Sequence, residues 1–244
     1  DVVHSWLYQS DLVASIGAFM RFKSPLIWSL RQSNLSAQHN KPLTRICIRL
    51  CAALSYFRPA AVISCSKAAK LAHTQIGYAA NKITVIPNGF DLFQFCHDKS
   101  GAKNIRDELG IGQNVPVIGM VGRFDSQKNY AGFFQIASIV LMSMPRARFC
   151  MVGKDITIEN PELQAMMRHE DTNGDQIHFL GERKDITRIM SAFDILALPS
   201  DGEAFPNVVG EAMACSIPLI ASNVASIPEI TSSFAELIPE KDSE

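Results

Sequence analysis

Two carboxylates, Glu203 and Glu211, bracket the segment Ala204-Phe205-Pro206-Asn207-Val208-Val209-Gly210, and two cations, Arg123 and Lys128, follow Gly122 in a single loop. If a helix starts near Asn207, the N–H groups of Asn207, Val208 and Val209 have no partner inside it and can donate to a phosphate or a sugar hydroxyl. Pro206 has no N–H and fixes the chain direction. Glu203, in the loop, can accept from the hydroxyls of a sugar; Glu211, about one turn into the helix, can accept from a ribose diol. Gly122 lets a ligand approach the backbone, and Arg123 and Lys128 can reach a phosphate pair from the same loop. Such a set suits an elongated ligand with hydroxyls at both ends and charge in the middle, the layout of a nucleotide sugar. Singly, each residue has an ordinary explanation: surface cations near a helix start, a carboxylate favoured by the helix dipole, a solvated helix residue. Their joint occurrence points to a site. The spacing is neither the G-x-G-x-x-G of dinucleotide-binding enzymes nor a Walker-type phosphate loop.

The elements that must position these residues follow from short apolar runs alternating with helical patterns, the mark of a parallel sheet covered by helices. In the first part, Pro25 to Leu30, Ala61 to Cys65 and Ile83 to Ile86 read as strands. Leu12 to Met20 and Thr44 to Tyr56 read as helices, the second with Ile46, Leu50 and Leu54 on one face. Pro87-Asn88-Gly89-Phe90-Asp91 has the chemistry of a tight turn. The polar stretch from Leu92 to Asn114 then places a domain boundary near residue 95, giving domains over 1–95 and 96–244. Val115 to Val121, Arg148 to Val152, Gln176 to Leu180, Ile195 to Leu198, Pro218 to Ala221 and Ala235 to Ile238 read as strands of the second domain. Between them, Phe133, Ile136, Ala137, Val140 and Met144 follow helical spacing until Pro145 stops the helix.

Composition bounds the function. The 244 residues are 47% hydrophobic and 19% charged, enough to bury one large core or two smaller ones. A formal net charge of −1 provides no field for nucleic acid. The six cysteines (Cys47, Cys51, Cys65, Cys96, Cys150 and Cys215) lack paired C-x-x-C spacings and read as buried free thiols in a reducing compartment. Cys47 and Cys51 share a helix face, but two thiols make a poor metal site. No apolar run reaches the roughly 18 to 20 residues that span a bilayer, and no signal peptide opens the sequence, so a cytosolic location is expected. Asp1-Val2-Val3-His4 reads as the end of a strand and Ser243-Glu244 follows soon after another, so a fragment is expected.

These residues resemble glycosyltransferase family 4, the retaining enzymes of the GT-B fold. The matching pieces are Pro87-Asn88-Gly89-Phe90-Asp91, Val121-Gly122-Arg123 with Lys128 and Asn129, Phe179-Leu180-Gly181, and Glu203 through Ala214. Within the family, enzymes that build bacterial cell-surface polysaccharide and lipopolysaccharide are the most similar, on Pro25 through Asn34 and Cys65-Ser66-Lys67-Ala68-Ala69. The resemblance implies two Rossmann-like parallel-sheet domains, the first incomplete at its N-terminus and the second at its C-terminus. It implies that Arg123 and Lys128 hold the donor diphosphate as it leaves and that Glu203 contacts the transferred sugar. Phe205, Pro206, Asn207 and Val208 would line the sugar and phosphate, Glu211 would bind the ribose, and Gly181 and Arg183 would lie near the nucleobase. His4, taken to follow a strand, would face the donor sugar, while a second histidine usual after the next strand is replaced by the Arg31-Gln32 region.

The activity implied is transfer of a hexose from a nucleoside-diphosphate sugar to a glycan or lipid-linked acceptor on the cytoplasmic face of the membrane. No metal or other cofactor is expected, because fixed cations and helix N–H groups can stabilise the leaving diphosphate. Membrane contact is left to the absent N-terminal part. Two alternatives stay open: a sugar-nucleotide epimerase or phosphorylase of the same fold, and a nucleotide-sugar-binding module without catalysis.

Overall fold

The computed structural model describes residues 1–20, 24–36, 40–170, 172 and 174–239; the chain end at Ser243-Glu244 lies outside the described residues. The chain divides into two compact units, Asp1–Gly89 with Gly202–Pro206, and Phe90–Asp201 with Asn207–Glu244.

The first unit carries four parallel strands, β1 (Val3–Trp6), β2 (Leu26–Leu30), β3 (Ala61–Ser64) and β4 (Ile83–Val85), in the order β1-β2-β3-β4. Helices α1 (Tyr8–Met20), α2 (Pro42–Leu54) and α3 (Lys67–Gln75) connect them. Its core joins Trp28, Leu30 and Val62 of the strands to Tyr8, Cys47, Ile48, Cys51 and Tyr78. Pro42 suits the first turn of α2, where its missing N–H is not needed. Ser66 starts α3 by accepting from the Ala69 N–H at 3.1 Å.

Two expectations for this unit are corrected. The buried stripe of α2 is Cys47, Ile48, Cys51 and Ala52, whereas Ile46 and Leu50 are exposed and only Leu54 packs partly on the core. Ile46 and Leu50 form an apolar stripe beside that of Cys47 and Cys51, and periodicity cannot say which one meets the sheet. His4 lies within β1, paired with Ile27, instead of following a strand.

Asp11 of α1 is fully buried; the Ser5 hydroxyl donates to its Oδ1 at 2.5 Å, and its Oδ2 has no partner among the described residues. Burial pushes its carboxyl from the usual 3.8 to about 7, against the opposing pull of the Ser5 hydrogen bond. The folded chain therefore holds this proton more tightly than the unfolded one. The resulting stability is fully present below pH 3.8 and is lost as pH rises through 7. Asp11→Asn keeps the shape and the acceptor for Ser5, and is expected to remove a pH-dependent contribution of about 4 kcal/mol. Urea unfolding of both proteins from pH 4 to 8 checks this; equal slopes in the two would contradict it.

The second unit carries six parallel strands in the order β10-β9-β8-β5-β6-β7. They are β5 (Val117–Val121), β6 (Arg148–Val152), β7 (Ile177–Phe179), β8 (Ile195–Leu198), β9 (Leu219–Ser222) and β10 (Ala235–Ile238). Helices α4 (Lys99–Glu108), α5 (Tyr130–Ser143), α6 (Pro161–His169), α7 (Ile186–Ser191), α8 (Asn207–Ala214) and α9 (Ile227–Thr231) accompany them. One sheet face packs on α4, α7, α8 and α9 through Ile105, Ile189, Val209 and Ile227. The other packs on α5 and α6 through Phe133, Phe134 and Leu163. Strand β6 serves both, with Cys150 and Val152 on one side and Phe149 and Met151 on the other. Cover on both faces explains why these strands read as continuous apolar runs.

The polar stretch assigned to a boundary contains α4. Its start is capped by Asp98, which accepts from the Gly101 N–H at 2.8 Å. Its inner face is carried by Ile105 and by the stem of Arg106, whose buried guanidinium donates to the carbonyls of Ala192, Gly112, Gln113 and Val115 and pairs with Asp194 at 2.9 Å. A helix whose inner face is carried by Ile105 and a buried arginine has so few apolar residues that its stretch reads as polar. By compactness the first unit's leading segment ends at Gly89, and in the second the Phe90 ring occupies the space where a Cβ of Gly210 would stand.

Candidate functional site

In the second unit the chain leaves β5 for β6 and β7 on one side and then returns to β8 on the other, so the strand order reverses between β5 and β8. The crevice outside the carboxyl ends of two such strands is where open α/β sheets take ligands. The loop after β5 holds Gly122, Arg123 and Lys128, and the chain after β8 leads to α8 and Glu211.

Hydrogen bonds join the two loops. The Asp201 N–H donates to the Gln127 carbonyl at 2.8 Å, and Asn129 Nδ2 donates to Asp201 Oδ1 at 3.1 Å. Asn129 is left-handed, with φ 53°, and its Oδ1 also accepts from the Gly132 N–H at 2.9 Å to cap α5. One amide thus fixes a helix start and the distance between the two strand ends.

The Lys128 stem lies over Gly122, where a Cβ would stand 3.3 Å from Lys128 Cε. Arg123 donates through Nε and Nη2 to Asp125 Oδ2 at 3.1 and 2.9 Å. Burial works to raise the Asp125 carboxyl, but the Gln127 N–H, Arg123 and Lys128 outweigh it and hold the group below the usual carboxylate range. Asp125 is therefore an internal counter-ion that an incoming phosphate can relieve of Arg123.

Three glycines line the adjacent strand ends. Gly153, after β6, has φ 152°, and a Cβ there would overlap the Gly122 carbonyl oxygen. Its N–H donates to the Gly181 carbonyl at 2.8 Å, and the Gly181 N–H donates to the Ile156 carbonyl at 2.9 Å. Gly122, Gly153 and Gly181 give the crevice a floor of bare backbone. Arg183 donates to Asp185 at 2.7 Å and to Glu108 at 2.7 Å, and these hydrogen bonds to the two carboxylates hold its charge more firmly than usual. Its role beside a base would be that of a fixed wall. Asn207 opens α8 as its spacing required, Val208 turns its side chain into the core, and Glu211 is half-buried with its carboxyl raised by burial.

Glu203, Phe205 and Pro206 belong to the first unit. The Glu203 carbonyl accepts from the Ser33 hydroxyl at 2.8 Å and the Ala204 carbonyl from Ser66 at 2.9 Å. The stretch read as one continuous ligand segment is thus divided between the units, with Asn207, Val208 and Glu211 in the second. In the first unit His4 Nε2 shares a hydrogen bond with Ser29 Oγ at 2.8 Å, and its ring lies 5.1 Å from that of Trp6.

Sequence reasoning missed Asp201 and Gly153. The run Pro199-Ser200-Asp201-Gly202 carried only a general turn signal, and Val152-Gly153-Lys154 gave a glycine at a strand end, the feature that did identify Gly122. A cavity of about 390 Å³ opens between α5 and the ends of β8 to β10, lined by Asn129 and Asp201 on the side of the joined loops and by Ile136, Ile139, Val224 and Ile238 beyond them. Among the described residues its lining is mainly apolar and carries no cation. The six cysteines are free thiols; five are buried, as expected, and Cys96 is exposed. Among the described residues no helix is long and apolar enough to cross a membrane.

Two parallel-sheet units, one with a glycine-floored and cation-bearing crevice at its switch point, define a GT-B glycosyltransferase architecture. The chain belongs to the glycosyltransferases: the family model "Glycosyl transferases group 1" matches residues 115–244 and "Glycosyltransferase Family 4" matches residues 1–93. It is 34% identical over 145 residues to the UDP-Gal:alpha-D-GlcNAc-diphosphoundecaprenol alpha-1,3-galactosyltransferase of Escherichia coli, covering 59% of this chain and 37% of that one. It is 32% identical over 162 residues to the N,N'-diacetylbacillosaminyl-diphospho-undecaprenol alpha-1,3-N-acetylgalactosaminyltransferase of Campylobacter jejuni, covering 64% and 40%. Among solved structures, Anabaena Alr3699/HepE in complex with UDP-glucose superposes with a TM-score of 0.84 at 26% identity, over 98% of this chain and 65% of that one. The chain thus spans well under half the length of these two curated relatives.

Proposed function

We propose that this chain belongs to a retaining glycosyltransferase that moves a hexose from a nucleoside-diphosphate sugar to a lipid-linked or glycan acceptor during cell-surface polysaccharide synthesis. The carrying observation is the bonding of the β5 and β8 loops through Asp201, Gln127 and Asn129, at the switch point that holds Arg123 and Lys128. The printed activities of the Escherichia coli and Campylobacter jejuni relatives, both on diphosphoundecaprenol-linked sugars, support a lipid-linked acceptor. In the reaction the donor C1–O bond to the diphosphate breaks and the acceptor hydroxyl forms a new bond to C1. The acceptor proton passes to the departing phosphate, and the sugar keeps its anomeric configuration. Charge grows on the diphosphate in the transition state, so cations and backbone N–H groups aimed at it lower the barrier without a metal. Glu203 contacts the sugar, Glu211 the ribose, and Gly181 the base. A cytoplasmic location, with peripheral contact to the membrane that carries the acceptor, belongs to the same reading.

Calorimetric titration with UDP-, GDP- and ADP-sugars, followed by product analysis with and without a sugar-diphosphate lipid, tests this. Binding of one donor class and acceptor-dependent formation of a product with retained configuration is the expected result. Binding without transfer points to a binding module, sugar conversion without acceptor to an epimerase, and an inverted product contradicts retention.

A further inference from the structure

The first unit carries a cationic feature of its own. Trp6 ends β1 with 49% of its surface exposed, and the guanidinium carbon of Arg31, the first residue after β2, lies 4.3 Å from the centre of its ring. Arg31 Nη1 donates to the Asn88 side chain, beyond β4, while Arg31 Nε is buried and has no partner among the described residues. Among these residues Arg31 also pairs with no carboxylate, unlike Arg106, Arg123 and Arg183. Leu7, next to Trp6, is held at φ 71°, a strained conformation for a leucine. Trp6, Arg31 and Asn88 all stand at the carboxyl ends of parallel strands.

A guanidinium stacked on an indole and anchored at one nitrogen keeps the rest of its planar fork for a bidentate oxyanion. A partly buried cation without a counter-charge calls for an anionic ligand. The exposed indole beside it offers an apolar face suited to the C–H face of a pyranose. We infer that Trp6 and Arg31 form a subsite for a sugar phosphate, with Arg31 binding the phosphate and Trp6 the sugar ring. This rests on the proposed function only in taking that ligand to be the phosphate-linked sugar of the acceptor.

The chain has two tryptophans, and Trp28 is fully buried, so a ligand-induced change in emission reports Trp6. N-acetylglucosamine 1-phosphate is expected to change that emission saturably, and inorganic phosphate or N-acetylglucosamine alone to bind at least tenfold more weakly. Arg31→Gln should weaken sugar-phosphate binding about tenfold to hundredfold and Arg31→Lys less. Trp6→Phe should abolish the optical signal and weaken binding by calorimetry. Thermal unfolding checks that each variant is folded, and Arg31→Lys serves if Arg31→Gln is not. Unchanged affinity in the Arg31 variants, or inorganic phosphate binding as tightly as the sugar phosphate, would overturn the inference. UDP binding, measured in the same proteins, is expected to be unaltered; its absence in the wild type would count against the donor crevice and leave this subsite standing.

Discussion

Lys128→Ala is expected to lower the rate of sugar transfer about 100- to 1000-fold, the usual cost of removing one fixed group that stabilises developing charge. Lys128 is held in place by its packing over Gly122, in a loop tied to the β8 end through Gln127 and Asn129. Because charge on the diphosphate increases as the C1–O bond breaks, the loss should fall on kcat more than on donor KM. Arg123→Ala should follow the same pattern less steeply, since Asp125 already shares its guanidinium and must give it up to the ligand. Lys128→Arg keeps the charge and should retain part of the rate. Steady-state kinetics with donor varied at fixed acceptor reads all three; a kcat for Lys128→Ala within twofold of wild type would remove Lys128 from the chemistry.

Gly153→Ala is expected to destabilise the second unit and to abolish donor binding. Its added methyl group would fall on the Gly122 carbonyl oxygen and come within 3.0 Å of the Arg123 nitrogen, and the φ of 152° is one that alanine rarely adopts. Together these cost about 3 kcal/mol or more, or roughly 10 °C in Tm. The obstacles are backbone atoms, so relief requires moving the loop that carries Arg123. Gly174→Ala provides the contrast, because a methyl there meets nothing within 4 Å. Thermal unfolding should leave Gly174→Ala near wild type and lower Gly153→Ala clearly; equal values would refute the close approach of the two strand ends.

The strands that hold the site were legible wherever burial on both faces wrote continuous apolar runs, as in Val117–Val121 and Ile195–Leu198. The start of α8 at Asn207 was equally legible, because a proline before a helical pattern marks a first turn. Local chemistry could not reveal what depends on partners distant in sequence. Helix α4 is organised by Arg106 reaching the Ala192 carbonyl and Asp194, which no window of sequence around it contains. The division of Glu203 from Glu211 depends on Ser33 and Ser66, well over a hundred residues away. The resemblance set Arg183 near the nucleobase, and no sequence signal showed that Glu108 and Asp185 engage it. In each case the residue types were right, and the missing information was which side chain would reach them.

The loops after β5 and β8 are expected to build one crevice for a nucleoside diphosphate. Amide NMR of the chain titrated with UDP reads this residue by residue. Saturable shifts at Gly122 through Lys128, Gly153, Gly181 and Asn207 through Glu211 are the predicted result. Shifts confined to the apolar cavity beside Ile136 and Val224, or at the β5 loop with none at the start of α8, would contradict it.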